Sequence, residues 1–164
     1  MARYRPPAAA KSPYITTQGF ERLQAEEKAI WKRRRHVVKI LAAAAAEGDR
    51  SENAEYIYRK KELRGIDRRI RYLQRRLPTL IAAGGKPDIE GQVFFGAWVT
   101  LEDERGVEHH YRIVGPDEFD QHRDYISMDS PMAKALLKRH LDEEVNVHTP
   151  DGARSYIITQ INYD

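Results

Sequence analysis

The sequence predicts an α+β protein of two domains: an N-terminal antiparallel α-helical coiled-coil hairpin and a C-terminal, mostly antiparallel β-sheet with one helix. Two observations predict this fold class. Apolar residues follow a seven-residue period as far as Leu77, which is typical of paired helices. Beyond Gln92 they alternate residue by residue, which is typical of strands. The 164 residues are enough for two small domains.

The seven-residue period runs through two segments of similar length. The first has Glu27 and Arg34 as polar interruptions, and its apolar positions are Phe20, Leu23, Ile30, Val37, Leu41 and Ala44. The second has Arg59 as its polar exception, and its apolar positions are Tyr56, Leu63, Ile66, Ile70, Leu73 and Leu77. Because each seam can be buried only against the other, the helices are expected to fold back on one another. Pro78 should end the second helix near Leu77.

The division of the chain follows from these patterns. We expect a disordered basic tail at residues 1–13, the hairpin at 14–83, a Gly- and Pro-containing linker at 84–91 and the sheet domain at 92–164. The sheet domain should contain strands at 93–101, 107–113 and 125–128, a helix from Pro131 to about Arg139 capped by Ser130, and a closing hairpin at 145–148 and 155–163.

The net charge of +3 combines two opposed halves. Residues 1–80 contain 20 Lys and Arg against 9 Asp and Glu, whereas residues 81–164 contain 8 against 16. A basic half suggests a polyanionic partner, although such residues also solvate a long exposed helix. The absence of cysteine excludes disulfides and thiolate metal sites. Without a bilayer-length apolar run or an evident secretory signal, we expect a cytoplasmic protein with no membrane partner, monomeric when free.

The connection between the two helices is acidic. Asp49, Glu52 and Glu55 are three residues apart and would share one face of the first turns of the second helix. Asp49 followed by Glu52 also fits a capping box, which is a purely structural role. The functional alternative is that these carboxylates bind a hard cation such as Mg²⁺. Because they cannot fill an octahedral shell, the ion would need ligands from a partner, and the free protein should bind none tightly.

The residues of this connection, and several segments after it, resemble one known family. The run Gly48-Asp49-Arg50-Ser51-Glu52-Asn53-Ala54-Glu55-Tyr56 is similar to the tip motif of the Gre transcript cleavage factors, accessory proteins of bacterial RNA polymerase. The similarity continues at residues 63–73, 90–99, 111–115 and 125–137, and it covers about residues 13–163. The stretch Phe94-Phe95-Gly96-Ala97-Trp98-Val99 is similar to the GreB type rather than the GreA type.

The resemblance implies an FKBP-like fold without prolyl isomerase activity for the C-terminal domain. It also implies that this domain docks on the rim of the polymerase's secondary channel while the hairpin enters the channel. The protein would be an accessory factor rather than an enzyme. Asp49 and Glu52 would hold a second Mg²⁺ jointly with the polymerase and orient a water for cleavage of backtracked RNA, with Asn53, Glu55 and Tyr56 in support.

Two further surfaces belong to this interpretation. The loop Asp129-Ser130-Pro131-Met132 corresponds to a region of the family implicated in contact with the polymerase rim. Basic side chains on both helices are candidates for binding the 3′ end of backtracked nascent RNA through its phosphates. These residues are Arg33, Arg34, Arg35, Arg68, Arg69, Arg71 and Arg75.

Three other functions remain as alternatives. A channel regulator of RNA polymerase that does not promote cleavage would favour an altered acidic tip, but Asp49 and Glu52 are both present. A free-standing metal-dependent hydrolase is disfavoured because the six histidines have no ligand spacing such as H-x-x-x-H. A peptidyl-prolyl isomerase is disfavoured by the short C-terminal half, although the sequence does not exclude it.

Overall fold

The computed structural model describes residues 8–48 and 53–163, which fall into two compact units. The helical unit is Gln18–Leu80. The sheet unit combines the segment up to Thr17 with the chain from Ile81 onward. The α+β class with two domains is confirmed. Within the described residues, no helix has the length and apolar character needed to cross a bilayer.

The helical unit is a hairpin of two long helices. Helix α1 spans Thr17–Ala46, and helix α2 spans Ala54–Arg76. The apolar side chains buried in the two helices all lie on the predicted seams, and they are Leu23, Val37, Ala44, Ile66, Ile70 and Leu73. Full burial of a Leu or Ile side chain contributes about 1.5–3 kcal/mol, so the seams supply the main stabilisation of the hairpin.

Ion pairs between the helices show that they are antiparallel. Arg33 Nη2 donates to Glu62 Oε1 at 2.5 Å. Nearer the start of α1, Glu26 Oε1 accepts from Arg69 Nε, also at 2.5 Å. Residues later in α1 therefore pair with residues earlier in α2, as the sequence predicted for a hairpin.

The sheet unit contains five strands in the order β5-β4-β3-β7-β6. Their bounds are β3 Trp98–Asp103, β4 Glu108–Val114, β5 Tyr125–Ser127, β6 Glu144–Thr149 and β7 Gly152–Asn162. Neighbours are antiparallel except β4 and β5, which are parallel. Helix α3, Pro131–Leu136, buries Ala133 and Leu136 against this sheet. The prediction of a mostly antiparallel sheet with one helix is confirmed.

Two of the expected element boundaries are wrong. Strand β3 begins at Trp98 rather than at residue 93, because a turn closed by the Ala97 N–H on the Phe94 carbonyl precedes it and Gly96 has a φ of +87°. Helix α3 ends at Leu136 rather than near residue 139. Its continuation is prevented because Lys138 N–H donates to the Val93 carbonyl at 2.8 Å instead of to the preceding turn.

The ends of the hairpin contain an element that the sequence analysis missed. Strand β1, Tyr14–Thr16, pairs in parallel with strand β2, Ile81–Ala83. Both strands were expected to belong to the hairpin at 14–83, but they belong to the sheet unit. Helix α2 ends at Arg76, just before Pro78, as predicted, and a 3₁₀ turn at Leu77–Thr79 follows.

Candidate functional site at the connection of the hairpin

The two residues predicted to act, Asp49 and Glu52, lie outside the described residues, in the connection between α1 and α2. Gly48 is described at its start. Its φ of +137° favours glycine, and it lies two residues after Ala46, the last residue of α1. Asn53 is described at the other end of the connection, immediately before α2.

Asn53 is anchored to both helices. Its Oδ1 accepts a hydrogen bond from the backbone N–H of Tyr56 at 3.1 Å and thereby caps α2. Its Nδ2 donates to the carbonyl of Ala44, in the last turn of α1, at 2.9 Å. Asparagine suits both tasks because its amide carries an acceptor and a donor. One side chain therefore fixes the end of the connection to the two helices that hold it.

This cap corrects two predictions about the acidic residues. The N-cap of α2 is Asn53, so the expected capping box of Asp49 and Glu52 is wrong. Helix α2 begins at Ala54, so the helical spacing that would place three carboxylates on one face does not apply. Of the three, only Glu55 lies within the helix.

Glu55 belongs to an ionic network on the first turns of α2. Arg59 Nε donates to Glu55 Oε1 and Arg59 Nη1 donates to Glu62 Oε2, both at 2.8 Å. The hydrogen bond to Glu55, followed by that to Glu62, raises the pKa of Arg59. The hydrogen bond from Arg59 is likewise the main cause that lowers the pKa of Glu62. Glu55, expected to support the tip, thus holds Arg59 in place.

Tyr56 is half-buried at the start of the α2 seam. The ammonium of Lys60 lies 5.7 Å from the centroid of its ring, within the range of a cation–π contact. Its backbone N–H is the group that Asn53 caps. Tyr56 is therefore part of the scaffold at the base of the connection.

The seven predicted RNA-binding arginines divide into two groups. Three of them cross between the helices as ion-pair partners: Arg33 with Glu62, Arg69 with Glu26, and Arg34 with Asp67 at 2.7 Å. The other four are exposed, and no ion pair joins them to another described residue; they are Arg35, Arg68, Arg71 and Arg75. In the second group, no described acid neutralises the charge, which is therefore open to a ligand.

The predicted docking loop is tied to the N-terminal segment. The carboxylate of Asp129 accepts hydrogen bonds from the Ser12 backbone N–H at 2.9 Å and from the Ser12 hydroxyl. Ser130 Oγ caps α3 by accepting from Ala133 N–H at 3.2 Å. Met132 is partly buried against the core of the sheet unit. Of the four residues in this loop, Pro131 is the exposed one.

Several of these roles carry little sequence signal. An asparagine before Ala-Glu is a possible N-cap, but the acidic spacing around it suggested a capping box instead. The pairing of Ser12 with Asp129 joins residues 117 positions apart. Within residues 8–48 and 53–163, no three His, Asp or Glu side chains lie together as a possible metal site.

Comparison with known proteins shows the family. The family model described as "Transcription elongation factor, N-terminal" matches residues 13–80, and "Transcription elongation factor, GreA/GreB, C-term" matches 87–163. A crystal structure of GreA factor homolog 1 (Gfh1) of Thermus thermophilus is 27% identical, covers 93% of this chain and 99% of its own, and has a TM-score of 0.41.

Curated relatives are similar over nearly the full length. Transcription elongation factor GreB of Pseudomonas aeruginosa is 52% identical and covers 99% of this chain and 98% of its own. Its namesake in Pasteurella multocida is 53% identical and covers 94% and 99%, respectively. From the two matched models and these relatives, the chain belongs to the GreA/GreB family of transcription elongation factors and is of the GreB type.

Proposed function

We propose that this elongation factor binds bacterial RNA polymerase and stimulates the polymerase's own endonucleolytic cleavage of backtracked RNA. The hairpin enters the secondary channel and carries Asp49 and Glu52 to the catalytic centre. One observation supports this assignment above all: Asn53, rather than either acid, caps α2. Neither carboxylate is therefore needed as the N-cap of α2, and we assign both as metal ligands.

The donor chemistry of the connection fits Mg²⁺. Asp49 and Glu52 supply carboxylate oxygens, which are the ligands that this hard cation prefers. Two residues do not complete its coordination shell, so the ion is held jointly with carboxylates of the polymerase. When bound, such an ion stabilises the charge that develops on phosphate oxygens during hydrolysis. The free factor has no hydrolytic activity of its own.

The described residues that follow the two acids are held in place by hydrogen bonds. Asn53 ties the connection to α1 and α2 through two hydrogen bonds, and the Arg59 network stiffens the first turns of α2. A ligand held by a rigid scaffold loses little freedom on binding. Asp49 and Glu52 then hold the metal and orient the attacking water, while Asn53, Glu55 and Tyr56 act through the scaffold.

The nascent RNA binds the exposed cations of the helices. We assign this contact to Arg35, Arg68, Arg71 and Arg75, because Arg33, Arg34 and Arg69 already neutralise acids of the partner helix. Phosphate contacts of this kind depend on salt. On the sheet unit, Pro131 is the residue of the docking loop that is open to the polymerase, while Asp129 positions the loop through Ser12.

The test is cleavage in an arrested, backtracked complex. We expect Asp49→Ala and Glu52→Ala each to abolish stimulated cleavage while leaving polymerase binding nearly unchanged, because this proposal assigns the acids to the reacting centre and Asn53 caps α2. Glu47→Ala, an exposed acid beside the same connection, is the matched control and should retain activity. Full activity in both variants would contradict the assignment.

The same assay separates the alternative function. A regulator that occupies the channel without promoting cleavage would bind the polymerase and show no stimulation even as the unmodified chain. In that case the substitutions at Asp49 and Glu52 would change nothing in the cleavage rate. Two arginine variants test the RNA contact in the same assay. Arg71→Ala should raise the factor concentration needed for half-maximal cleavage, whereas Arg33→Ala should not.

A further inference from the structure

Ile57 and Tyr58 are exposed apolar residues at the start of α2, outside the seam. Ile57 is 53% exposed and Tyr58 is 60% exposed. No other exposed large hydrophobic side chain in residues 8–48 and 53–163 has a larger exposed fraction than Tyr58. One exposed apolar residue needs no explanation. Two neighbours, four and five positions after Asn53, form a contact surface next to the acidic connection.

The ring of Tyr58 is supported by a fixed arginine. The guanidinium carbon of Arg59 lies 5.2 Å from the centroid of the ring. Arg59 is itself held by Glu55 and Glu62 through 2.8 Å hydrogen bonds. This network limits the movement of Arg59, which contacts the Tyr58 ring. The Tyr58 side chain therefore loses little additional conformational freedom when a flat group stacks on its ring. The arrangement suits stacking.

Ile57 is also the first residue of a stripe along one exposed face of α2. Behind it, in steps of four and three, follow five exposed cations: Lys61, Arg64, Arg68, Arg71 and Arg75. Residues at these steps share one face of a helix. From Ile57 to Arg75 the stripe is about 27 Å long at about 1.5 Å per residue.

The line of cations ends at Ile57, and the ring of Tyr58 lies at the next position, about 100° further around the helix. An aromatic ring beside a line of cations matches the chemistry of a single nucleic-acid strand. The phosphates of such a strand lie along the cations, and its bases stack on aromatic rings. An apolar wall of a partner protein would match Ile57 and Tyr58 but not the stripe of cations that continues from Ile57. Charge complementarity therefore selects single-stranded RNA as the occupant.

We propose that Tyr58 stacks on a base near the 3′ end of the backtracked RNA and that Ile57 extends the apolar surface beside it. The inference rests on the proposed function and adds a base contact to it. Tyr58 positions the RNA strand relative to the connection that carries Asp49 and Glu52. It takes no part in the cleavage chemistry.

A fluorescence experiment tests the contact without cleavage. The RNA of a backtracked polymerase complex carries 2-aminopurine as its 3′ base, and the factor carries Asp49→Ala so that the RNA stays intact. We expect the factor to quench the fluorescence, since stacking on an aromatic ring does so. Adding Tyr58→Phe should keep the quenching, whereas adding Tyr58→Leu, which keeps an apolar side chain but removes the ring, should abolish it.

A cleavage experiment in the otherwise unmodified factor gives the second readout. Tyr58→Leu should raise the factor concentration for half-maximal cleavage about tenfold, as expected for loss of one base–aromatic stack. Tyr58→Phe should leave it unchanged. Phe119→Leu, which alters a 48% exposed aromatic side chain of the sheet unit, is the matched control and should also leave it unchanged.

An abasic 3′ nucleotide decides which partner the ring contacts. With abasic RNA, the difference between Tyr58→Leu and the unmodified factor should disappear. If the difference persists, the ring contacts the polymerase, and the inference is overturned. Equal behaviour of the Leu and Phe variants in both readouts would overturn it as well. Failure of the unmodified factor to stimulate cleavage would instead overturn the proposed function, because the quenching readout does not depend on cleavage.

Discussion

Asn53 shows how one side chain can join the ends of two helices. Its two polar atoms satisfy one donor of α2 and one acceptor of α1. The Tyr56 N–H is a group that the start of a helix otherwise leaves unpaired, and the Ala44 carbonyl also accepts from the Glu47 N–H at 3.3 Å. Asp49 and Glu52 lie outside the described residues, and neither of them is the N-cap of α2.

Substitution of Asn53 should separate its two hydrogen bonds. Asn53→Ala removes both and should lower the free energy of unfolding of the hairpin by about 1–2 kcal/mol. Asn53→Asp keeps the acceptor for Tyr56 N–H and loses the donor to Ala44, so its loss should be smaller. Urea unfolding followed by circular dichroism measures both. An alanine variant as stable as the unmodified protein would contradict this role.

Two glycines should respond in opposite directions to the same substitution. A Cβ on Gly115 would lie 2.1 Å from the carbonyl oxygen of Tyr14, so Gly115→Ala must displace strand β1 and should cost about 3 kcal/mol. A Cβ on Gly65, inside α2, meets nothing within 4 Å. Gly65→Ala should therefore stabilise the helix by about 0.5–1 kcal/mol. Thermal unfolding of both variants tests the pair; destabilisation by Gly65→Ala would be unexplained.

At the scale of elements, the turn between β3 and β4 is held by one carboxylate. Asp103 Oδ2 lies 3.0 Å from His109 Nε2, while Oδ1 accepts from the backbone N–H groups of Arg105 and Val107. The hydrogen bond with His109, followed by that from Val107, lowers the pKa of Asp103 from 3.8 to about 2. The ionised carboxylate therefore stabilises the turn.

The stability of this turn should depend on acid in a defined window. Because the folded pKa of Asp103 is depressed, its contribution is complete above pH 3.8 and is lost as the pH falls through about 2. Amide chemical shifts of Arg105 and Val107, followed by NMR over this range, should report the change. Asp103→Asn should remove the titration, whereas Glu104→Gln, an exposed residue of the same turn, should not. Persistence of the same titration in Asp103→Asn would refute the assignment.

The attachment of strand β1 to the sheet unit rests on another carboxylate. Glu118 is 3% exposed and accepts from Thr16 N–H at 2.7 Å, from the Thr16 hydroxyl at 2.5 Å and from Gly115 N–H at 3.2 Å. Three donors satisfy the buried charge, as a buried carboxylate requires. Helix α1 begins at the next residue, Thr17, so its first turn follows a fixed strand.

At the scale of the whole molecule, the two patterns read from the sequence predicted both domains. Long seams of Leu, Ile and Val predicted the hairpin because many residues repeat one spacing. The alternating runs at 93–101 and 107–113 predicted the pair of strands β3 and β4. Strands β1 and β2 were missed because three residues carry no period. Their pairing depends on contacts such as Glu118 with Thr16, which are 102 positions apart.

The candidate site was predicted as residue types but not as an arrangement. The connection was correctly placed between α1, which ends at Ala46, and α2, which begins at Ala54. The cap, however, was placed on Asp49 instead of Asn53, because carboxylates and amides have similar capping preferences. The arginines could not be sorted from sequence, because whether Arg69 faces Glu26 or solvent depends on the register of the two helices. Asp49 and Glu52 themselves stay a prediction.

The magnesium dependence of cleavage tests the central proposal most directly. Backtracked complexes are titrated with Mg²⁺ in the presence of the unmodified factor and of the Asp49→Asn, Glu52→Gln double variant, which keeps side-chain size and removes charge. We predict that the unmodified factor lowers the Mg²⁺ concentration for half-maximal cleavage, whereas the double variant binds the polymerase but leaves that concentration where the polymerase alone has it. Identical Mg²⁺ titrations for the two proteins would contradict the proposal that these two carboxylates help to hold the metal.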